Sequence, residues 1–427
     1  MLISRSVVTQ YLSRPLDSWL WVKKASREQL EDELRRLKVP PVFKTRPWDH
    51  QMASFLLGYY NPYFLFLLEM GLGKSKIILD LLTQFRREKR VKRPAVIFVP
   101  RRANLDSWEA ATLEHSDLEP HSVYDRSIEA KREALLDPRG DLVVIDYQGA
   151  ALALSKKRPA KGKRKASLIP DPALINRARR NFDFAAYDEI HKLGDLDSLW
   201  YQVAMGLSES TQFAYGATGT LFNRDVRSVY SIFALLDGGE TFGTSLPVFQ
   251  SAFMAPKRNR FGTEWVFDES RLRVFNKFVS HRSIRYDDFE VHDLPPVLPQ
   301  VRRLRMPPQQ REQYLLAVQG LINADGNLVE QGAKYQRMRQ IAAGYMVWSD
   351  DLGQHRMVFD DQPKLDALDG IIDETEGMTK VVVVCHFVET GSHITAHLKK
   401  RGVSYRWLYG SAKDGVQELR RSEERRV

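Results

Sequence analysis

Cysteine is almost absent from this chain. The single Cys385 in 427 residues excludes an intramolecular disulfide and leaves no second thiolate for a cysteine-based zinc cluster. Long apolar runs are missing too. Met1-Leu2-Ile3-Ser4-Arg5 leads straight into polar sequence, without the stretch that a signal peptide or membrane span needs. Acidic residues are in deficit, 54 against 64 lysines and arginines, and the resulting net charge of +10 points to polyanionic partners. Nucleic acid comes before membrane, because no lipid-binding feature accompanies the charge. These absences together imply a reducing, cytoplasmic setting: at the nucleoid, or in the host cytoplasm for a viral protein. What is present suits a globular protein, since 43% hydrophobic residues supply a sizeable core and the length calls for two or three domains.

Residues 27–37 (REQLEDELRRL) carry apolar positions at helical spacing, and Pro40-Pro41 ends that element, so residues 1–43 read as an N-terminal appendage. Beyond it, short β-rich runs at 95–99, 142–145, 184–187 and 213–215 alternate with helical patterns. Such alternation predicts an α/β lobe over 44–240, a parallel sheet with helices on both faces. Residues 241–360 read as a helical insertion and inter-lobe linker, with helical patterns at 271–279 and 309–343 and prolines at 295, 296, 299, 307 and 308 between them. A second strand-helix-strand unit begins late: Lys380-Val381-Val382-Val383-Val384-Cys385 as a buried strand, a crossover helix over 390–400, and a strand over 403–408. Residues 361–427 are therefore expected to form a partial second lobe.

Two patterns carry chemistry. Met70-Gly71-Leu72-Gly73-Lys74-Ser75 follows an apolar run and precedes Ile77-Ile78-Leu79, a strand-loop-helix context. In a phosphate loop, Gly71 and Gly73 let backbone N–H groups curl around the phosphates. Lys74 reaches the β and γ phosphates and Ser75 holds Mg²⁺. The same pattern also opens ordinary helices, and Leu68 stands where the full motif has glycine. The second pattern is Asp188-Glu189 at the end of an apolar strand. Alone, such a pair is usually a solvated turn. In order after Lys74 and on the same predicted sheet, Asp188 becomes the Mg²⁺ ligand and Glu189 the carboxylate that orients attacking water.

With these residues in view, the sequence resembles the Swi/Snf-type branch of the superfamily-two helicases and translocases, over about residues 45–411. Arg46-Pro47-Trp48-Asp49-His50-Gln51 is similar to the family's adenine-recognition motif, which implies that Gln51 bonds the base. Pro100, Arg101 and Arg102, opening a segment that runs to Trp108-Glu109, resemble its first DNA-contacting motif, and Val144-Ile145-Asp146-Tyr147 resembles the next, near the tracking strand. Asp188-Glu189-Ile190-His191 differs from the family's Asp-Glu-Ala-His by one apolar residue. Gly216-Ala217-Thr218-Gly219-Thr220 is similar to the motif that couples hydrolysis to lobe movement, which implies that His191, Thr218, Gly219 and Thr220 do the coupling. Leu221 replaces the usual proline there. Phe242-Gly243, the arginines near 282–285 and Leu294-Pro295-Pro296 resemble the link between lobes, and Tyr409-Gly410-Ser411 matches the opening of the second.

The resemblance implies RecA-like lobes, the cofactors ATP and Mg²⁺, and movement on double-stranded DNA, RNA or single strands being further substrates of the class. The family's later second-lobe motifs, arginine fingers included, do not follow Ser411. Completion by a longer chain or another subunit is therefore expected. Alternatives are a nucleotide-gated DNA-binding module with weak hydrolysis, and the motor portion of a restriction, defence or viral complex. Lys156, Lys157, Arg158, Lys161, Lys163, Arg164 and Lys165 form one basic run that reads as a loop, either a solvated insertion or an arm contacting phosphates. The histidines are scattered, and His393 with His397, four residues apart on a helix, read as surface or core groups rather than metal ligands.

Overall fold

The computed structural model describes residues 20–160, 166–221, 225–259, 262–291, 299–322, 328–350, 353–375 and 381–407. They fall into two compact units, Met1–Pro295 and Pro296–Val427.

The first unit is built on a sheet whose central strands are buried on both faces. In β1 (Tyr63–Leu68) all six residues are buried, as they are throughout β2 (Ala95–Val99), β4 (Leu142–Asp146) and β8 (Phe213–Thr218), with β3 (Pro120–Ser122) at one edge. A strand buried on both sides must send successive side chains into two different cores. Tyr63, Leu65 and Leu67 enter one apolar cluster with Val96, Phe98, Val143 and Ile145. Phe64, Phe66 and Leu68 enter the other with Ile97, Val99 and Val144. Helices α1 (Arg27–Arg35), α2 (Asp49–Tyr60), α3 (Lys74–Arg87) and α4 (Leu105–His115) supply side chains to the second cluster. The first is covered by α5 (Ile128–Leu136), α6 (Tyr147–Ala153), α8 (Leu199–Ser208) and α9 (Arg227–Asp237), with the short α7 (Pro172–Ala178) beside them.

With β7 (Phe184–Asp188) and β11 (Ser283–Tyr286), the order across the sheet is β11-β1-β8-β7-β2-β4-β3, and every pairing is parallel. This is the α/β lobe expected from the alternation of strands and helices, of the RecA-like kind that the resemblance implies. Because all strands point the same way, their carboxyl ends share one edge, where an open parallel sheet places its ligands.

The compact unit extends in both directions beyond residues 44–240. Val22, Leu30, Leu34 and Leu37 are buried in the second cluster, and Ser26 and Gln29 close a capping box on α1. Downstream, α10 (Leu246–Phe253) and α11 (Leu272–Ser280) add Phe249, Phe253, Phe275 and Val279 to the first cluster, and β11 joins the sheet beside β1. Between them lies the hairpin of β9 (Met254–Asn259) and β10 (Gly262–Phe267).

Two readings of the sequence need correction here. Lys156, Lys157 and Arg158 lie in β5 (Ser155–Arg158), paired antiparallel with β6 (Ser167–Pro170), and are therefore the leg of a hairpin rather than a loop. Charge repulsion within the run is relieved because an extended strand separates neighbouring side chains onto opposite faces. Lys161, Lys163, Arg164 and Lys165 lie outside the described residues. The second correction falls in the other unit, which contains α12 (Pro308–Ile322), α13 (Leu328–Ala342), the hairpin of β12 (Tyr345–Asp350) and β13 (Gly353–Val358), α14 (Pro363–Glu374) and α15 (Val388–Lys400). Residues 381–385 form no strand, and Val382 and Val384 are 84% and 87% exposed. Residues 403–407 form none either. A run of β-branched residues has strand propensity, but a strand exists only by bonding to neighbours, and among the described residues these segments have none. Residues 408–427, with Tyr409-Gly410-Ser411, lie outside the described residues, as does the Leu294-Pro295-Pro296 turn.

The central packing makes a quantitative prediction. Phe98 is 1% exposed on β2 and stacks against Tyr187 at 5.1 Å and Tyr147 at 5.9 Å between ring centroids. Phe98→Ala should cost about 3–5 kcal/mol of unfolding free energy by urea titration. A loss below about 1 kcal/mol would show that the two aromatic neighbours close the space, contrary to a rigidly packed sheet core.

Candidate active site

The carboxyl edge of the sheet gathers what the sequence placed far apart. After β1 the chain turns through residues 69–73 before α3 begins at Lys74. Two glycines make that turn possible. Gly71 has φ +87° and Gly73 +79°, the left-handed region that other residues enter at a cost. At Gly73 a Cβ would also stand 2.3 Å from Gln51 Nε2. An alanine there would force the Gln51 amide aside and hold a left-handed backbone that favours glycine. Gly73 is also the N-cap of α3 and offers no side chain to its first turn. The N–H groups of that turn and the positive end of the helix dipole remain available to an anion.

The loop is held from behind by α2. His50 Nε2 lies 2.8 Å from the Leu72 carbonyl, and Gln51 Nε2 donates to the same oxygen at 3.4 Å. Gln51 Oε1 accepts the Trp48 N–H at 3.0 Å. Gln51 is 5% exposed, so its amide braces the turn at residues 69–73 in this structure. Lys74 folds over the loop and donates to the carbonyls of Leu68 at 3.0 Å and Glu69 at 3.1 Å. Burial lowers its pKa, against which the nearby carboxylates of Glu189 and then Asp188 act in opposition. Ser75 follows it in the first turn of α3, half-buried.

Asp188 ends β7 and Glu189 follows in a left-handed conformation, φ +48°, which turns the two carboxylates away from the strand's alternation. Their environments differ. Burial pushes the Asp188 pKa up, opposed chiefly by a hydrogen bond from the Trp108 indole, Nε1 to Oδ2 at 3.0 Å. Glu189 is held low, first by its hydrogen bond with His191 and then by one from Thr218. Thr218 Oγ1 donates to Glu189 Oε2 at 3.0 Å, and His191 Nδ1 lies 3.2 Å from the same oxygen and 2.9 Å from Thr218 Oγ1. The Thr218 hydroxyl also accepts the Thr220 N–H at 3.2 Å. Glu189, His191, Thr218 and Thr220 therefore form one connected network. Gly219 lies within it along the chain, its Cα side open enough that a Cβ would meet the Leu68 carbonyl only at 3.4 Å.

The remaining candidates separate. Pro100 is half-buried at the end of β2, while Arg101 and Arg102 are exposed ahead of α4 on the same edge of the sheet. Lys156, Lys157 and Arg158 are exposed on the β5–β6 hairpin, with Lys156 Nζ 3.8 Å from Asp171. Tyr147 does not fit its expected place. It is 2% exposed and its hydroxyl donates to the Asp188 carbonyl at 2.8 Å, so in this structure its side chain braces the acidic pair from within the core. Trp108 was missed as a site residue. The only sign of it in sequence is an aromatic N–H at the end of a segment that resembles a DNA-contacting motif.

Among the described residues no group of three or more His, Cys, Asp or Glu side chains is arranged to hold a metal by itself. His393 and His397 instead reach separate carboxylates, Glu389 at 3.1 Å and Asp369 at 2.8 Å. Nor is any described helix long and apolar enough to cross a membrane.

No family model matches this sequence, and no curated protein matches it. Among solved structures the chain is similar to the Sulfolobus solfataricus SWI2/SNF2 ATPase core in complex with dsDNA, at 17% identity and a TM-score of 0.45, covering 90% of this chain and 76% of that one. It is similar also to the Sulfolobus solfataricus SWI2/SNF2 ATPase core domain, at 16% identity and a TM-score of 0.45, covering 92% of this chain and 76% of that one. These neighbours are ATPase cores.

Gly73 offers a test of the loop itself. Gly73→Ala should abolish binding of a fluorescent ATP analogue in an anisotropy titration while circular dichroism shows the fold retained. Binding within about twofold of wild type would show that the left-handed turn and its approach to Gln51 are dispensable.

Proposed function

We propose that the chain is a Mg-ATP-dependent motor of the helicase and translocase class that moves on double-stranded DNA. The observation that supports it most is the convergence of Lys74, Asp188 and Glu189 on one edge of a parallel sheet, the first at a glycine-turned helix N-terminus and the others at a strand end. Phosphate and a divalent cation fit this donor set. The Lys74 ammonium spends its hydrogen bonds on two loop carbonyls that a phosphate would replace, and a buried Asp188 beside Glu189 is negative charge that a cation would balance.

In this reading bound Mg-ATP supplies the scissile phosphate and the charge that draws Lys74 inward. His50 and Gln51 keep the loop in register, and Gln51 remains the candidate for base recognition. Ser75 and Asp188 would hold the ion. Glu189, kept ionised by His191 and Thr218, orients water for in-line attack. Because Thr218 belongs to β8 and leads into Gly219 and Thr220, a change at the Glu189 carboxylate is felt at the start of that segment. Pro100, Arg101, Arg102 and the β5–β6 hairpin are the proposed phosphodiester contacts.

Lys74→Ala should abolish nucleotide binding or turnover, since it removes the ammonium aimed at the β and γ phosphates. Glu189→Gln should still bind ATP and stall hydrolysis. Equal loss of equilibrium ATP binding in both variants would show that Glu189 is not the water-orienting carboxylate. Duplex DNA should accelerate ATP turnover by wild type, and the log affinity for DNA should fall steeply with log salt. Deleting residues 156–165 should make that slope shallower. An unchanged slope would mean the hairpin touches no phosphate.

A further inference from the structure

Asp188 is gripped from two directions by aromatic side chains that the nucleotide chemistry does not itself require. Trp108, 2% exposed on α4, donates its indole N–H to Asp188 Oδ2 at 3.0 Å. Tyr147, at the head of α6, donates its hydroxyl to the Asp188 carbonyl at 2.8 Å. Both rings are fixed in turn. Tyr147 lies between Phe98 and Trp200, at 5.9 and 6.0 Å, and Trp108 belongs to the apolar cluster under α3 and α4. An indole nitrogen can only donate. Its bond therefore selects one carboxylate oxygen and sets the rotation of the group, while the tyrosine pins the backbone from which the group hangs.

We infer that Trp108 is a positioning residue for the divalent cation: its indole N–H occupies Oδ2 of Asp188 and sets the rotation at which the carboxylate would meet the ion. This rests on the nucleotide-site reading and deepens it. Outer partners of metal-binding carboxylates orient them and raise affinity, and their removal commonly weakens metal binding about 10- to 100-fold.

The test removes the N–H and keeps the ring. In the full chain, Trp108 is replaced by β-(3-benzothienyl)alanine, which has sulfur where the indole has N–H, and separately by phenylalanine. Binding of a fluorescent ATP analogue is followed by anisotropy as Mg²⁺ is titrated, and steady-state turnover is measured over the same range. The Mg²⁺ concentration at half-maximal binding should rise about tenfold in the benzothienyl protein. Analogue binding in EDTA and the melting temperature in EDTA should match wild type, and turnover should recover at saturating Mg²⁺. Trp108→Phe should show at least the same rise. If it fails to fold, the benzothienyl protein alone decides. An unchanged Mg²⁺ midpoint in the benzothienyl protein overturns the inference, as does a turnover loss that saturating Mg²⁺ does not restore. A wild-type chain that binds no analogue at any Mg²⁺ concentration overturns the nucleotide-site reading and this inference with it.

Discussion

A strand can pair in parallel with its predecessor only if the chain first climbs back along the sheet, and in this protein helices make every such return. The result is that β1, β2, β4, β7 and β8 all release the chain at one edge. All the proposed chemistry depends on this constraint. Lys74 and Glu189 are 115 positions apart in the sequence, yet each needs only the end of a strand to arrive beside the other. The central strands are rigid because they are buried on both faces, so the side chains at their ends are held by packing as well as by hydrogen bonds. In a sheet with one solvated face the same residues would have stood on looser ground.

The sheet was legible in the sequence because burial on both faces demands unbroken apolar runs, and at 95–99, 142–145, 184–187 and 213–215 nothing else explains them. The glycine turn before α3 and the acidic pair that ends β7 were legible for a related reason: each is written in a few consecutive residues. What escaped was everything that depends on distant partners. Trp108 and Asp188 are bonded across 80 residues, and no spacing rule marks them. Tyr147 stands at the expected edge of the sheet with its ring turned inward to the Asp188 carbonyl, since a motif says where a residue sits and not which way its ring turns. The resemblance puts β11 (Ser283–Tyr286), a strand that carries an arginine, in the link between lobes, and nothing local marks it as the edge strand of the first sheet. As an edge strand it can afford one, with Ile284 and Tyr286 facing the core while Arg285 stays exposed.

The valines at 381–384 show the limit from the opposite side. Propensity is a property of the residues and a strand is a property of its neighbours. Val381 and Val383 are each 44% exposed while Val382 and Val384 are almost bare, so the segment keeps the two-sided alternation of an extended chain without the ladder that would make it a strand. The pattern predicted the conformation of the side chains and not the pairing.

Glu189 joins the fold to the proposed mechanism. A non-glycine residue at φ +48° persists only where surrounding contacts over-determine it, and here a histidine from the following turn and a threonine from the next strand both hold the carboxylate. The network that restrains Glu189 also keeps it ionised, since each hydrogen bond it accepts favours the charged form. Asp188, one residue earlier, is buried and leans toward the neutral form, with the Trp108 indole opposing that drift. Adjacent acids are thus driven apart in character by their partners, one favoured in its charged form by the hydrogen bonds it accepts and the other pushed toward its neutral form by burial. Since the first is tied to β8 through Thr218 and the second to α4 through Trp108, a displacement of either element reaches a different half of the site.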